Sequence, residues 1–108
     1  MKINIQKATK INERIPHKKD FTKWLYYIFF NKKIELTIRI VTINEIILLN
    51  HTYRNKNIPT NVLSFPMNNI YLDKNHKKLY LGDIAICSSY LKKEAYQFKK
   101  MLKNIGLI

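Results

Sequence analysis

The sequence predicts an α+β fold, a small mixed β-sheet of about four strands covered by helices. Residues 35–41, Glu-Leu-Thr-Ile-Arg-Ile-Val, alternate between apolar and polar side chains, the period-two pattern of a strand with one wet face. Phe21, Trp24, Leu25, Ile28 and Phe29 recur instead at i, i+3, i+4, i+7 and i+8, which is helical spacing. Along the chain the elements run strand, helix, strand, helix, strand, strand, helix, so that each helix has a sheet to cover.

At the N-terminus, Ile3 and Ile5 alternate with polar neighbours as an edge strand would. After Pro16, Asp20 is the expected N-cap of the first helix, because its carboxylate can accept an orphan N–H of the first turn. The apolar stripe of that helix belongs to the core and is not a base-stacking platform. In the next strand Leu36, Ile38 and Ile40 share one face, and Thr37 and Arg39 the other. Thr42-Ile43-Asn44-Glu45 is a capping-box pattern: the Thr42 hydroxyl accepts the Glu45 N–H, and the Glu45 carboxylate returns to the Thr42 N–H. Val41 and Ile46 flank it as a hydrophobic staple. A short helix over residues 43–50 follows, then a basic turn, then a strand over residues 61–65 halted by Pro66. Residues 67–78 are polar and read as a loop. Residues 79–87 form the next strand, and Ser88 or Ser89 caps a last helix whose core side carries Leu91, Ala95, Phe98, Leu102 and Ile105.

A chain of 108 residues with 46% apolar content is sized for one domain, residues 1–108. No apolar run reaches the roughly 18–20 residues that cross a bilayer, and Lys2, Lys7 and Lys10 interrupt the N-terminus where a signal peptide would be apolar. A cytoplasmic protein without membrane association is expected. Cys87 has no second cysteine to pair with, which suits a reducing compartment and a buried core position. The net charge of +13 favours polyanionic partners. Lys, Asn, Ile and Tyr are all abundant, however, as A/T-rich codons would make them, so coding bias and a tuned RNA surface account for the charge equally well.

Arg54 is the foremost candidate for chemistry. A guanidinium is permanently charged, and its planar fork matches two phosphate oxygens, so it can hold RNA and stabilise charge developing at phosphorus. Its structural alternative is an ion pair with a nearby carboxylate. Lys56 adds phosphate attraction, and Arg39, on the polar face of its strand, is placed to line the same groove. Thr60 and Ser64 carry hydroxyls better suited to stabilising the turn and the strand than to catalysis. Gly82-Asp83 marks a close backbone approach with a fixed carboxylate, chiefly structural, which could orient a water or pair with Arg54. His17, His51 and His76 are too scattered to supply the three ligands of a hydrolytic zinc site, so no metal-ligating set is expected in these residues.

The run Leu48-Leu49-Asn50-His51-Thr52-Tyr53-Arg54-Asn55-Lys56-Asn57-Ile58-Pro59-Thr60-Asn61-Val62-Leu63-Ser64-Phe65-Pro66 resembles the signature of the bacterial YbeY-type endoribonucleases. A second element of that family follows in Leu81-Gly82-Asp83-Ile84-Ala85-Ile86, and Glu94-Ala95 with Gln97 falls where the family has its next helix. The resemblance implies a zincin-like metalloprotein fold and a zinc-dependent, single-strand-specific endoribonuclease acting in 16S ribosomal RNA 3′-end maturation and late ribosome quality control. It implies ribosomal RNA and the small ribosomal subunit as partners, and it places the family's functional arginine on Arg54. Asn57 and Thr42 stand where the family often has aspartate, which removes acidic groups from any local network.

The family continues into a His-x3-His-x5-His metal motif that these 108 residues lack. Ile105-Gly106-Leu107-Ile108 is what A/T-leaning codons for the family's next segment, His-Trp-Ala-His-Leu-Ile, yield when read one base late. The resemblance therefore leads to the expectation of a truncated or frameshifted member that is inactive alone, with no cofactor of its own and zinc in the full-length family. A non-catalytic basic RNA- or ribosome-binding module, and a decayed gene product without a stable fold, are the competing expectations.

Overall fold

The computed structural model describes residues 2–29, 34–66, 79–91 and 94–107. Its elements are β1 (Lys2–Lys7), α1 (Lys18–Ile28), β2 (Ile34–Val41), α2 (Ile43–Arg54), β3 (Val62–Pro66), β4 (Leu79–Cys87), a 3-10 turn (Ser88–Tyr90) and α3 (Ala95–Asn104). The strands form one mixed sheet in the order β1-β2-β4-β3. β1 and β4 flank β2 in parallel, and β3 runs antiparallel to β4 at the edge. The α+β expectation therefore holds. The predicted loop at residues 67–78, with His76, lies outside the described residues.

Period-two alternation decides which side of the sheet is dry. Ile34, Leu36, Ile38 and Ile40 of β2 are fully buried beside Ile3, Ile84, Ile86 and Val62 of the other strands. Over them lie α1 and α3, which contribute Phe21, Leu25, Phe98, Met101 and Leu102. Phe21, Trp24 and Phe98 meet as a triangle with ring centroids 5.3–5.7 Å apart, tying the two helices together. Burying each such aliphatic side chain stabilises the fold by about 1.5–3 kcal/mol. On the opposite face α2 covers one end of the sheet, where Ile46 packs with Val41, Leu63, Ala85 and Cys87. The rest of that face, including Thr37, Arg39 and Asp83, is left partly open.

Several boundaries differ from the sequence-based expectation. His17, not Asp20, is the N-cap of α1; Asp20 is the third helical residue, and its carboxylate accepts the His17 N–H at 2.9 Å. The capping box at Thr42 is only half formed. Thr42 Oγ1 accepts the Glu45 N–H at 3.2 Å, but the Glu45 carboxylate turns to Arg39 instead of returning to Thr42. α2 runs on to Arg54, so Arg54 sits on the last helical turn and not in the basic loop. Ser88 and Ser89 do not cap the last helix, which begins at Ala95; they donate to the Glu13 carboxylate at 3.0 and 3.1 Å. Pro66 closes β3, where the missing N–H of proline is tolerated on an edge strand. Among the described residues no helix is long and apolar enough to cross a membrane.

Gly82 sets the phase of β4. The register with β2 passes from Glu35↔Tyr80 to Leu36↔Gly82, so Leu81 is an extra residue, a β-bulge. Gly82 takes φ +116°, a conformation that side-chain-bearing residues adopt only with strain. Without the bulge, Tyr80 and Asp83, three residues apart, would point to opposite faces. With it, both stand on the open face, and the Tyr80 hydroxyl donates to Asp83 Oδ1 at 3.0 Å.

Candidate nucleic-acid interface

The carboxyl end of α2 builds the first part of the site. Asn55 adopts the left-handed conformation (φ 56°) that ends the helix, with its N–H shared between the carbonyls of Asn50 and His51. Asparagine tolerates this better than most residues. Lys56 N–H then bonds back to the Asn50 carbonyl at 3.3 Å. The Asn50 side chain, only 3% exposed, donates to the Ile58 carbonyl at 2.9 Å. These bonds make the basic turn a fixed loop, and Arg54 and Lys56 project from it.

Arg54 Nη2 donates to the Ser64 carbonyl at 2.8 Å and Nη1 to the Tyr53 carbonyl at 3.2 Å, while Cζ lies 5.9 Å from the centre of the Phe65 ring. No carboxylate among the described residues pairs with it. The guanidinium is thus held by neutral groups and keeps its full charge with N–H donors to spare. Arg54, Lys56, Thr60 and Ser64 line one cleft of ≈350 Å³ together with Asn50 and Ile58. Thr60 Oγ1 donates to the Val62 carbonyl at 3.4 Å, within the turn that leads into β3.

A second cleft of ≈580 Å³ opens on the uncovered sheet face, bounded by Thr37, Arg39, Glu45, Tyr53, Phe65, Tyr80 and Asp83. Arg39 lies here and not in the groove of Arg54, which corrects the expectation of a single groove. Its Nε and Nη2 grip the Glu45 carboxylate in a bidentate pair at 2.7 and 3.0 Å. That hydrogen bond raises the guanidinium pKa above its ordinary value against the opposing effect of burial. Asp83 does not pair with Arg54; its described partner is Tyr80. A hydrogen bond with Thr37 lowers the Tyr80 pKa, but burial and the Asp83 carboxylate more than offset it, and the net shift is upward.

The Phe65 ring, which lines the second cleft, is also the ring that Arg54 of the first cleft approaches. Tyr53 and Phe65 rings contact edge-on at 5.1 Å, and Tyr53 remains 58% exposed. Sequence reasoning did not single out Tyr53, Phe65, Tyr80, Asn50 or Asn55 as site residues, and it gave Glu45 only a capping role. Period-two alternation along residues 62–66 could have put Phe65 on the same face as Leu63. Tyr80 depends on the bulge, which a sequence pattern does not reveal. His17 caps α1 and His51 lies on α2. Among the described residues no three His, Cys, Asp or Glu side chains come together as a metal-ligand set, so they do not fit a resident zinc and no chemical step is routed through one.

Comparison with known proteins agrees with the signature at residues 48–66. The family model described as endoribonuclease YbeY matches residues 2–106. A protein named endoribonuclease YbeY from Buchnera aphidicola subsp. Cinara cedri (strain Cc) is 49% identical over 100 residues, covering 93% of this chain and 64% of that protein. Its namesake from Buchnera aphidicola subsp. Acyrthosiphon pisum (strain APS) is 44% identical over 104 residues, covering 94% and 65%. The one from Blochmanniella pennsylvanica (strain BPEN) is 41% identical over 95 residues, covering 86% and 59%. This chain therefore spans somewhat less than two thirds of the length of these relatives. With a matched family model over nearly its whole length, the chain belongs to the YbeY endoribonuclease family.

Proposed function

We propose that these residues form the RNA-gripping part of a metal-dependent endoribonuclease specific for single strands, a hydrolase of the cytoplasm. Its substrate in this reading is the 3′ end of 16S ribosomal RNA, met on or near the small ribosomal subunit. The observation that carries the reading is Arg54, a guanidinium fixed by two backbone carbonyls and an aromatic ring, with no described carboxylate to neutralise it. A fixed, uncompensated cation at the mouth of a cleft spends its charge on an incoming anion. Lys56, held beside it by the Asn55 turn, extends the attraction along a phosphate backbone.

In this reading Arg54 holds the phosphate while charge builds on its oxygens. The runner-up is a basic RNA-binding module without catalysis, for which the net charge of +13 speaks. Both readings require RNA to bind at Arg54.

Binding of a fluorescent single-stranded RNA separates RNA binding from a merely structural arginine. Arg54→Ala should weaken binding roughly tenfold, the loss of one charge-assisted contact, with the melting temperature nearly unchanged. Arg54→Lys should recover only part of the affinity, since lysine lacks the planar fork. Equal affinity with a lowered melting temperature would reduce Arg54 to a structural clamp on Ser64.

A further inference from the structure

The chemistry of the sheet-face cleft is unlike that of the cleft beside it. Among the described lining residues the one cation, Arg39, is already committed to Glu45 in a bidentate pair, and Asp83 adds a further carboxylate whose described partner is the Tyr80 hydroxyl. These described side chains offer no uncommitted positive charge to a phosphate. Its apolar wall is the Tyr53 ring with Phe65 and Leu49 behind it, and the edge-on contact between Tyr53 and Phe65 leaves at least one broad face of Tyr53 uncovered. A large aromatic 58% exposed at the lip of a cleft offers a face on which a base can stack.

Arg54 is the next residue along the chain and approaches the same Phe65 ring, 5.9 Å from its centre. A phosphate on Arg54 therefore leaves the attached nucleoside within reach of Tyr53. We propose that the sheet-face cleft receives an unpaired nucleobase of the bound strand, stacked on Tyr53, with the Asp83 carboxylate accepting a hydrogen bond from an exocyclic amino group. The inference rests on the RNA-binding reading above and assigns the base subsite of that same site.

A carboxylate is an acceptor only, so it discriminates. Cytosine, adenine and guanine each present an amino group, whereas uracil offers one ring N–H flanked by two carbonyl oxygens that the carboxylate repels. Tyr80 holds Asp83 Oδ1 and leaves Oδ2 for the base. The bulge at Gly82 is what puts both groups on this face.

Labelled RNA hexamers of cytidine and of uridine test this, because the two pyrimidines stack with similar area. The 108-residue chain should bind oligo(C) roughly tenfold more tightly than oligo(U), the discrimination of about one base-edge contact. Tyr53→Ala should weaken oligo(C) binding roughly tenfold, and Tyr53→Phe should retain it, since the ring and not the hydroxyl does the stacking. Asp83→Asn, whose amide both donates and accepts, should abolish the preference for C over U while leaving the Tyr53 dependence intact. Equal binding of the two hexamers with no effect of Tyr53→Ala, while Arg54→Ala still weakens both, would overturn the base subsite and leave the RNA reading standing. No binding of either hexamer would overturn both.

Discussion

Asn50 carries more of the site's rigidity than its position in a helix suggests. It is buried, and its amide satisfies the Ile58 carbonyl across the basic turn. Asn50→Ala should destabilise the protein by about 1–3 kcal/mol, because a backbone acceptor is left without its partner, and a denaturant melt measures this directly. The Arg39–Glu45 pair is half exposed, so it is worth less than its geometry implies. A double-mutant cycle on Arg39→Ala and Glu45→Ala should return a coupling of about 0.5–1 kcal/mol. Glu13 offers the clearest pH dependence. A backbone hydrogen bond together with the Ser88 and Ser89 hydroxyls holds its pKa below the ordinary 4.5. A carboxyl depressed in the folded state adds stability above the unfolded pKa and loses it as the pH falls through the folded one. Wild type should therefore lose stability on acidification below about pH 4.5 more steeply than Glu13→Gln does, as thermal melts between neutral and acid pH would record.

At the scale of elements, β4 shows what a sequence can and cannot announce. The alternation of β2 and the apolar stripe of α1 were legible because a single sheet face and a single helix face must be dry, and composition at period two or 3.6 records that demand. The bulge at Leu81-Gly82 was not legible, since a glycine in a strand is compatible with a kink, a close approach or a bulge alike. Gly82→Ala should cost about 1–3 kcal/mol, the strain of a positive φ, and should disturb the Tyr80–Asp83 hydrogen bond. A stability equal to wild type would mean that the strand can re-phase without the bulge. The end of α2 was misjudged by four residues for a related reason. Polar residues 51–54 look like loop, but they form an exposed helical turn whose stop is the left-handed Asn55. The Arg54 signature was legible as a string, while the division of Arg39 and Arg54 into separate clefts came from three-dimensional placement alone.

For the molecule as a whole, charge is layered. α1 and α3 expose Lys18, Lys19, Lys23, Lys99, Lys100 and Lys103 against the single acid Asp20, whereas on the sheet face Glu35 and Glu45 are paired with Lys2 and Arg39 and Asp83 adds a further carboxylate. If RNA enters only at Arg54 and Lys56, two phosphates are neutralised, and the slope of log affinity against log salt should be about −1.4. Arg54→Ala should bring it to about −0.7. A slope several times steeper would show the helical layer taking part. The parallel pairings have a further consequence, for the order of events in time. β2 joins Ile3 to Leu36 on one side and Ile38 to Ile84 on the other, so the two parallel ladders close only between distant stretches of chain. Loop entropy is lost before those contacts form, which sets folding on the slow side, roughly milliseconds to seconds. A stopped-flow experiment should find a dominant relaxation in that range. During synthesis at about 5–20 residues per second, the isoleucines of β2 wait several seconds for β4, uncovered on the face that will become the core, and that interval is when the nascent chain most needs a chaperone.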